Sequence, residues 1–422
     1  MAQIKDVAIP EVFILWHPQC LLGEALARRI MVWLRPGNGL GPEVFYRSLP
    51  APESQPDGLP PALPGSRRSR ARRTVTKKVS NLQLVLALVD ENMVADFAWR
   101  CWLEQLAVTS ASVDRIIWPV ALDATAYNMP ASIKVLNYFR PAGLPVSLAP
   151  GVQQSPEFEG VVRSLLKQIT EAMCRVVLPR KANPAGVKSL TSLDPPPKVS
   201  VFLSHAKADG TVPARRVRDY IYSQTQLAAF YDENDIAFGS GFARAIERDL
   251  GASDTAALIA VRSAQYASRP WCRREVSLFR RPRQVGKPVR GVEHWRLFPL
   301  LVVEAMEGRL LSAGIPELGN SPAIRWNDED KGLEELIVTT VIRDAMLSSF
   351  HTALGNTIPA RRDQIVINWL PDPTTLLHIP SIRSGAARYV FYPGRGLSGL
   401  ELEILDEFFP KLTFKSFEEA LS

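Results

Sequence analysis

The chain has no apolar run approaching the ~20 residues that a membrane-spanning helix needs, and its first residues, Met1-Ala-Gln-Ile-Lys-Asp6, lack the basic and long apolar regions of a secretory leader. Both absences lead to the expectation of a cytoplasmic protein with no membrane attachment. Cysteine is scarce. The four, at positions 20, 101, 174 and 272, show no Cys-x-x-Cys pair or other metal-ligand spacing, which argues against a disulfide framework, a zinc site or any other metal centre.

What is present fits an ordinary globular chain. A length of 422 residues suggests two or three domains, and 46% apolar residues can fill their cores. The net charge of +7 suggests a nucleic-acid partner until it is located. Arg67, Arg68, Arg70, Arg72, Arg73, Lys77 and Lys78 lie within one window that has no acidic residue, so the rest of the chain balances. The proline-rich run Pro50–Gly65 precedes that window, and residues 49–80 together read as a long surface insertion. A basic loop can touch phosphates, but without interleaved aromatics for base stacking it reads as a solvated loop, so nucleic acid is not the expected partner.

Strands and helices alternate along the first 180 residues. Glu11–Trp16, Glu43–Ser48, Leu82–Val89 and Arg115–Val120 read as strands. Leu22–Leu34, Met93–Leu106, Ala131–Phe139 and Phe158–Val177 read as helices. This order implies a parallel sheet with right-handed crossovers. Residues 181–197, rich in proline, read as a linker.

The most informative stretch is Pro197–Arg281. A buried strand, Val199–Leu203, ends in Ser204 and His205. A second, around Leu227–Tyr231, is followed by Asp235, Phe238 and Gly239-Ser-Gly241. A third, Ala256–Val261, precedes Ser268-Arg-Pro-Trp-Cys-Arg-Arg-Glu275. On a helix, Trp271 and Cys272 lie four and three residues before Glu275, so indole, thiol and carboxylate are expected on one face near the carboxyl end of that strand. In open α/β sheets ligands bind at that edge. Trp295–Val303 reads as a fourth strand, Ala323–Trp326 as a fifth and Gly332–Leu354 as the closing helix.

These three motifs, in this order, resemble the TIR (Toll/interleukin-1 receptor) domain, most closely the bacterial and plant branch that cleaves NAD; the resemblance covers about a third of the chain. It implies a doubly wound, flavodoxin-like α/β fold for 198–355. It also implies that Glu275 is catalytic, that Ser204, His205 and Trp271 line the substrate pocket, and that Asp235–Gly241, with Phe238, Gly239 and Gly241, forms a loop completing the site or meeting a neighbouring protomer. The implied activity is hydrolysis of NAD+ to nicotinamide and ADP-ribose, linear or cyclic, by an anti-phage effector that self-associates on activation. NAD+ is then substrate, and no cofactor is called for. A non-enzymatic TIR scaffold for homotypic signalling is the alternative.

Each of these residues also has a plainer reading. Glu275 can be an exposed helical acid paired with an arginine, Trp271 a core anchor and His205 a loop cap. Cys272 has no evident base, so a cysteine nucleophile is not expected. Residues 1–180 resemble a second, degenerate TIR-like copy, with Val12–His17 placed like Val201–His205; an unrelated doubly wound domain is the other reading. In that copy Trp99 meets Leu103 at helical spacing, while Glu104 turns away by ~100°.

Residues 360–422 read as a small α/β unit. Strand Ala387–Tyr392 runs into Gly394-x-Gly396-x-x-Gly399 and the helix Leu400–Phe409. That local context fits a dinucleotide fingerprint, with Glu418 at the distance of a ribose contact. Too little chain follows for a complete dinucleotide fold, and a tight turn is the simpler account.

Overall fold

The computed structural model describes residues 9–36, 41–47, 81–110, 115–144, 155–177, 200–225, 228–231, 255–286, 288, 291–305, 315–319, 321–359, 363–394 and 396–421. The proline- and arginine-rich insertion, the linker and the Asp235–Gly241 loop lie outside these residues. The chain divides into two compact units, Met1–Ala172 and Met173–Ser422. No described helix is long and apolar enough to cross a membrane.

The first unit contains β1 (Ile9–Trp16), α1 (Gly23–Leu34), β2 (Glu43–Arg47), β3 (Asn81–Val89), α2 (Glu91–Ala95), α3 (Phe97–Thr109), β4 (Arg115–Ala121) and α4 (Ala131–Lys134), with α5 (Pro156–Val177) running across its boundary. Its four parallel strands lie in the order β2-β1-β3-β4. The interval expected to form one helix from Met93 to Leu106 is two, because Asp96 takes extended backbone and caps α3, accepting from the amides of Ala98 and Trp99. The helix expected over Ala131–Phe139 stops at Lys134, and Phe139 bridges to Val120 instead. Trp99 and Leu103 are buried together while Glu104 is exposed, as the helical spacing requires. Cys20 is buried, and burial followed by the nearby Asp90 charge pushes its thiol up to about 12, which leaves it unreactive.

In the second unit β5 (Ser200–His205), α6 (Thr211–Gln224), β6 (Ala228–Tyr231), β7 (Thr255–Arg262), α7 (Pro270–Arg280), β8 (Arg283–Gln284), β9 (Val292–Arg296), β10 (Leu300–Glu304) and β11 (Ala323–Arg325) precede the long α8 (Leu333–Gly355). Then come β12 (Gln364–Ile367), α9 (Pro373–Leu376), α10 (Pro380–Arg383), β13 (Tyr389–Tyr392), α11 (Gly399–Phe408), β14 (Thr413–Ser416) and α12 (Phe417–Leu421). One parallel sheet has the order β11-β10-β7-β5-β6, the doubly wound pattern. The connections wind to opposite sides from β5, so β5 and β7 flank the switch point, the place where open α/β sheets bind ligands at the strands' carboxyl ends.

The run Trp295–Val303, expected as one strand, is two strands in different sheets. β9 pairs with β12 in a second sheet, β14-β13-β12-β9-β8, while β10 pairs with β7 in the first. The break falls at Leu297-Phe298-Pro299. Pro299 has no N–H for a ladder, and the Leu297 amide donates to the Asn368 side chain (2.8 Å) rather than to a neighbouring strand. The Asn368 amide group in turn reaches the carbonyl and hydroxyl of Ser348 and the hydroxyl of Thr352 on α8. So two strands that precede β10 in sequence complete a sheet whose other strands come from the last 60 residues.

Helix α8 serves both sheets. Ile337, Val341 and Met346 are buried along it beside the first sheet, and Leu354 joins the cluster of Val292, Val366, Phe391 and Phe417 on the second. Apolar residues therefore surround this helix instead of lining one stripe. Gly355 ends it where the backbone approaches the second sheet: a Cβ there would lie 2.7 Å from Val366 Cγ1 and 3.2 Å from the Phe417 ring. Gly355→Ala is expected to lower stability by about 1–3 kcal/mol through overpacking, outweighing its helix-propensity gain of about 1 kcal/mol; urea denaturation of the whole protein checks the sign.

His351, also on α8, is buried, and its Nε2 has no hydrogen-bond partner among the described residues. Burial drives its pKa from 6.5 to about 4, against the opposing effect of a backbone hydrogen bond at Asn368. Between those values the unfolded chain takes up a proton that the native protein does not, so stability is full above about pH 6.5 and is lost as pH falls toward 4. The loss from this group is on the order of 3 kcal/mol. Unfolding free energies from urea titrations at pH 7.5 and pH 4 should differ less in His351→Gln than in the native protein, by about that amount.

The strand–turn–helix at Gly394–Phe408 forms as expected, but it is not a phosphate cradle. Of its three glycines Gly394 alone has left-handed backbone (φ 93°), and a Cβ at Gly396 or Gly399 would meet nothing within 4 Å. The N-terminus of α11 is already occupied by an anion. Glu401 accepts from the amide (2.8 Å) and hydroxyl (2.7 Å) of Ser398, which hold its carboxyl below the usual range, and the Ser398 hydroxyl caps the Glu401 amide. A phosphate would meet this carboxylate where a dinucleotide fingerprint offers bare N–H groups.

Candidate active site

Side chains alternate along β5, so Phe202 and Ser204 face one side of the sheet and His205 the other. Helix α7 packs on the Phe202 side. Two strand residues span about 6.6 Å and four helical residues about 6.0 Å, so Phe279 and Glu275 match Phe202 and Ser204 in turn. The rings of Phe202 and Phe279 lie 5.8 Å apart, and the Ser204 hydroxyl donates to Glu275 Oε2 at 2.5 Å. Glu275 is 6% exposed and Ser204 1%. Glu275 is therefore not the exposed helical acid of the plainer expectation: its side chain is inside.

A single carboxylate among apolar neighbours costs several kcal/mol unless polar groups reach it. Here Cys272, Val276 and Phe279 on its own helix belong with Tyr266 to one apolar core cluster. Tyr266 follows β7 in a short 3₁₀ turn, Tyr266–Ser268, and its hydroxyl lies 2.7 Å from Ser204 Oγ. Burial pushes the Tyr266 hydroxyl well above the phenol range, with the charge of Glu275 adding to the effect and the Ser204 hydrogen bond opposing it. The phenol thus stays protonated.

The turn carrying Tyr266 is tied to the loop after β5. Asp209 accepts from the Ser263 hydroxyl (2.5 Å) and from the Gln265 amide (2.9 Å), and the Gln265 side chain accepts from Arg269 (2.7 Å) at the start of α7. Asp209→Ala should cost about 1–3 kcal/mol, because the buried Ser263 hydroxyl loses its acceptor; a thermal melt beside Asp209→Asn, which keeps one acceptor oxygen, measures it.

Trp271 departs from the expected shared face. At about 100° per residue, Cys272, Glu275, Val276 and Phe279 span an arc of about 100°, and Trp271 lies about 90° from its centre. It is 48% exposed, with the Arg274 guanidinium carbon 5.6 Å from its ring centroid, so it is not a core anchor. Cys272 is buried and its thiol donates to the His205 carbonyl at 3.4 Å. His205 is buried and meets α7 through this carbonyl, while its ring is on the other side of the strand from Ser204. Asp235, Phe238, Gly239 and Gly241 lie outside the described residues. Among the described residues no group of three or more His, Cys, Asp or Glu could hold a metal ion.

Sequence reasoning passed over Tyr266, Ser263 and Asp209. Only a polar or aromatic residue placed just beyond a strand's carboxyl end hinted at them, and that hint is shared by many loops.

Residues 201–337 match the TIR domain family, which identifies a TIR domain in the chain and the doubly wound sheet as its framework. A family role in signalling or in NAD cleavage follows at that coarse level. No curated protein matches the chain. Among solved structures, a tagatose-6-phosphate ketose/aldose isomerase from Escherichia coli aligns at 12% identity over 83% of this chain and 84% of that chain, with a TM-score of 0.19, too low to support any inference.

Proposed function

We propose that the TIR domain at residues 201–337 is an NAD+ glycohydrolase and that Glu275 is its catalytic residue. The observation that carries this reading is a buried acid beside the carboxyl end of β5, at the β5/β7 switch point, with one oxygen held by the Ser204 hydroxyl at 2.5 Å. The bond between nicotinamide and ribose breaks with its electron pair leaving on the pyridine nitrogen. Nicotinamide therefore departs neutral and needs no acid. A positive charge develops on the ribose C1′ and ring oxygen. Water then adds its oxygen to C1′ and releases one proton, giving ADP-ribose.

What the protein must supply is negative charge at the ribose. Ionised, Glu275 opposes the oxocarbenium charge as it forms, in a setting where burial strengthens the attraction. It also accepts hydrogen bonds from ribose hydroxyls. Trp271, half-exposed at the opening turn of the same helix, offers a face for the nicotinamide or ribose. Self-association of TIR domains brings a neighbouring protomer to this edge and completes the site, and NAD depletion by the assembled form is the effector action.

The test is nicotinamide release from NAD+ by purified full-length protein, alone and under conditions that drive its assembly. Glu275→Gln keeps the shape and an acceptor for Ser204 while removing the charge, and turnover should fall about 10²–10³-fold with the melting curve retained. If the assembled native protein leaves NAD+ intact, a non-enzymatic scaffold replaces this reading.

A further inference from the structure

We infer that Tyr266 and Ser204 form a hydroxyl relay that positions and polarises Glu275, so that Ser204 acts through the carboxylate and not on substrate. This rests on the proposed role of Glu275 in its catalytic consequence but not in its geometry.

The direction of the relay follows from proton counting. Ser204 has one hydroxyl proton and gives it to Glu275 Oε2. The second contact of Ser204 Oγ, 2.7 Å from the Tyr266 hydroxyl, must then be one in which tyrosine donates. The three groups form a one-way chain, Tyr266 to Ser204 to Glu275, in a site where all three side chains are buried.

Each link has a distinct effect. With Tyr266 donating into its lone pair, the serine hydroxyl cannot turn to another acceptor, and its donation to the carboxylate is strengthened by polarisation, by about 10–30% per added bond. A hydroxyl stabilises the ionised acid without adding a charge that opposes it. Asp209 fixes the turn that aims Tyr266, through Ser263 and Gln265. The relay thus joins the ends of β5 and β7 to α7.

The experiment is a ¹³C titration of the Glu275 carboxyl carbon in full-length protein, its resonance assigned by its loss in Glu275→Gln. Ser204→Ala removes the donor and should raise the titration midpoint by about one pH unit or more. Tyr266→Phe should raise it by a smaller amount, and Ser204→Thr, which keeps a hydroxyl, should restore it. Circular dichroism confirms that each variant is folded, and Tyr266→Phe carries the test should Ser204→Ala not fold. Unchanged midpoints in both Ser204→Ala and Tyr266→Phe overturn the relay, and a shift in Ser204→Ala alone removes Tyr266 from it. In turnover, the acid limb of kcat should move with the midpoint while KM stays near the native value. Normal titration shifts in a native protein that never cleaves NAD+ would sink the hydrolase reading and leave the relay standing.

Discussion

Removing a carboxylate from water is among the more costly things a core can do, and the organisation of the second unit around Glu275 follows from that cost. The acid sits one helical turn from Phe279, whose contact with Phe202 sets the register of α7 on β5. That register brings Ser204 under Glu275 and leaves no freedom to slide the helix by one residue without parting the hydroxyl from the carboxylate. Apolar packing supplies position, and hydrogen bonding makes that position tolerable for an ionisable group.

The second sheet extends this constraint beyond the TIR fold. The chain leaves α7, forms β8 and β9 beside β12, and returns through Leu297-Phe298-Pro299 to β10. Phe298 packs edge-on against Phe279 at 5.9 Å, so the crossover between sheets rests on the same helix that carries Glu275. Asn368 locks the crossover from the other side by joining Leu297 to α8. The last 60 residues are therefore built into the framework of the TIR domain through two strands, one helix and one buried asparagine.

The two units share an order of strands, with β2-β1-β3-β4 in the first and the same arrangement for the first four strands of the parallel sheet in the second. Their corresponding helices differ in what they bury. In α3 the pair is Trp99 and Leu103, both in the core, with Glu104 outside; in α7 the tryptophan is outside and the acid inside. The two helices thus turn different faces to their sheets, one offering a leucine and the other a carboxylate.

Much of this was legible before any coordinates. The alternation of strand and helix and the motifs in order were enough for the doubly wound fold, because apolar periodicity and strand ends are local properties of a sequence. The partition of Trp295–Val303 between two sheets was not, since a continuous apolar run looks the same whichever partner it finds. Nor were the burial of Glu275, the outward turn of Trp271, or the roles of Tyr266 and Asp209, for these depend on which atoms meet across 54 to 71 positions of chain. Sequence alone determined the kind of fold; the tertiary structure decided how Glu275 is held, because hydrogen bonds between distant residues exist only once packing has fixed their distance.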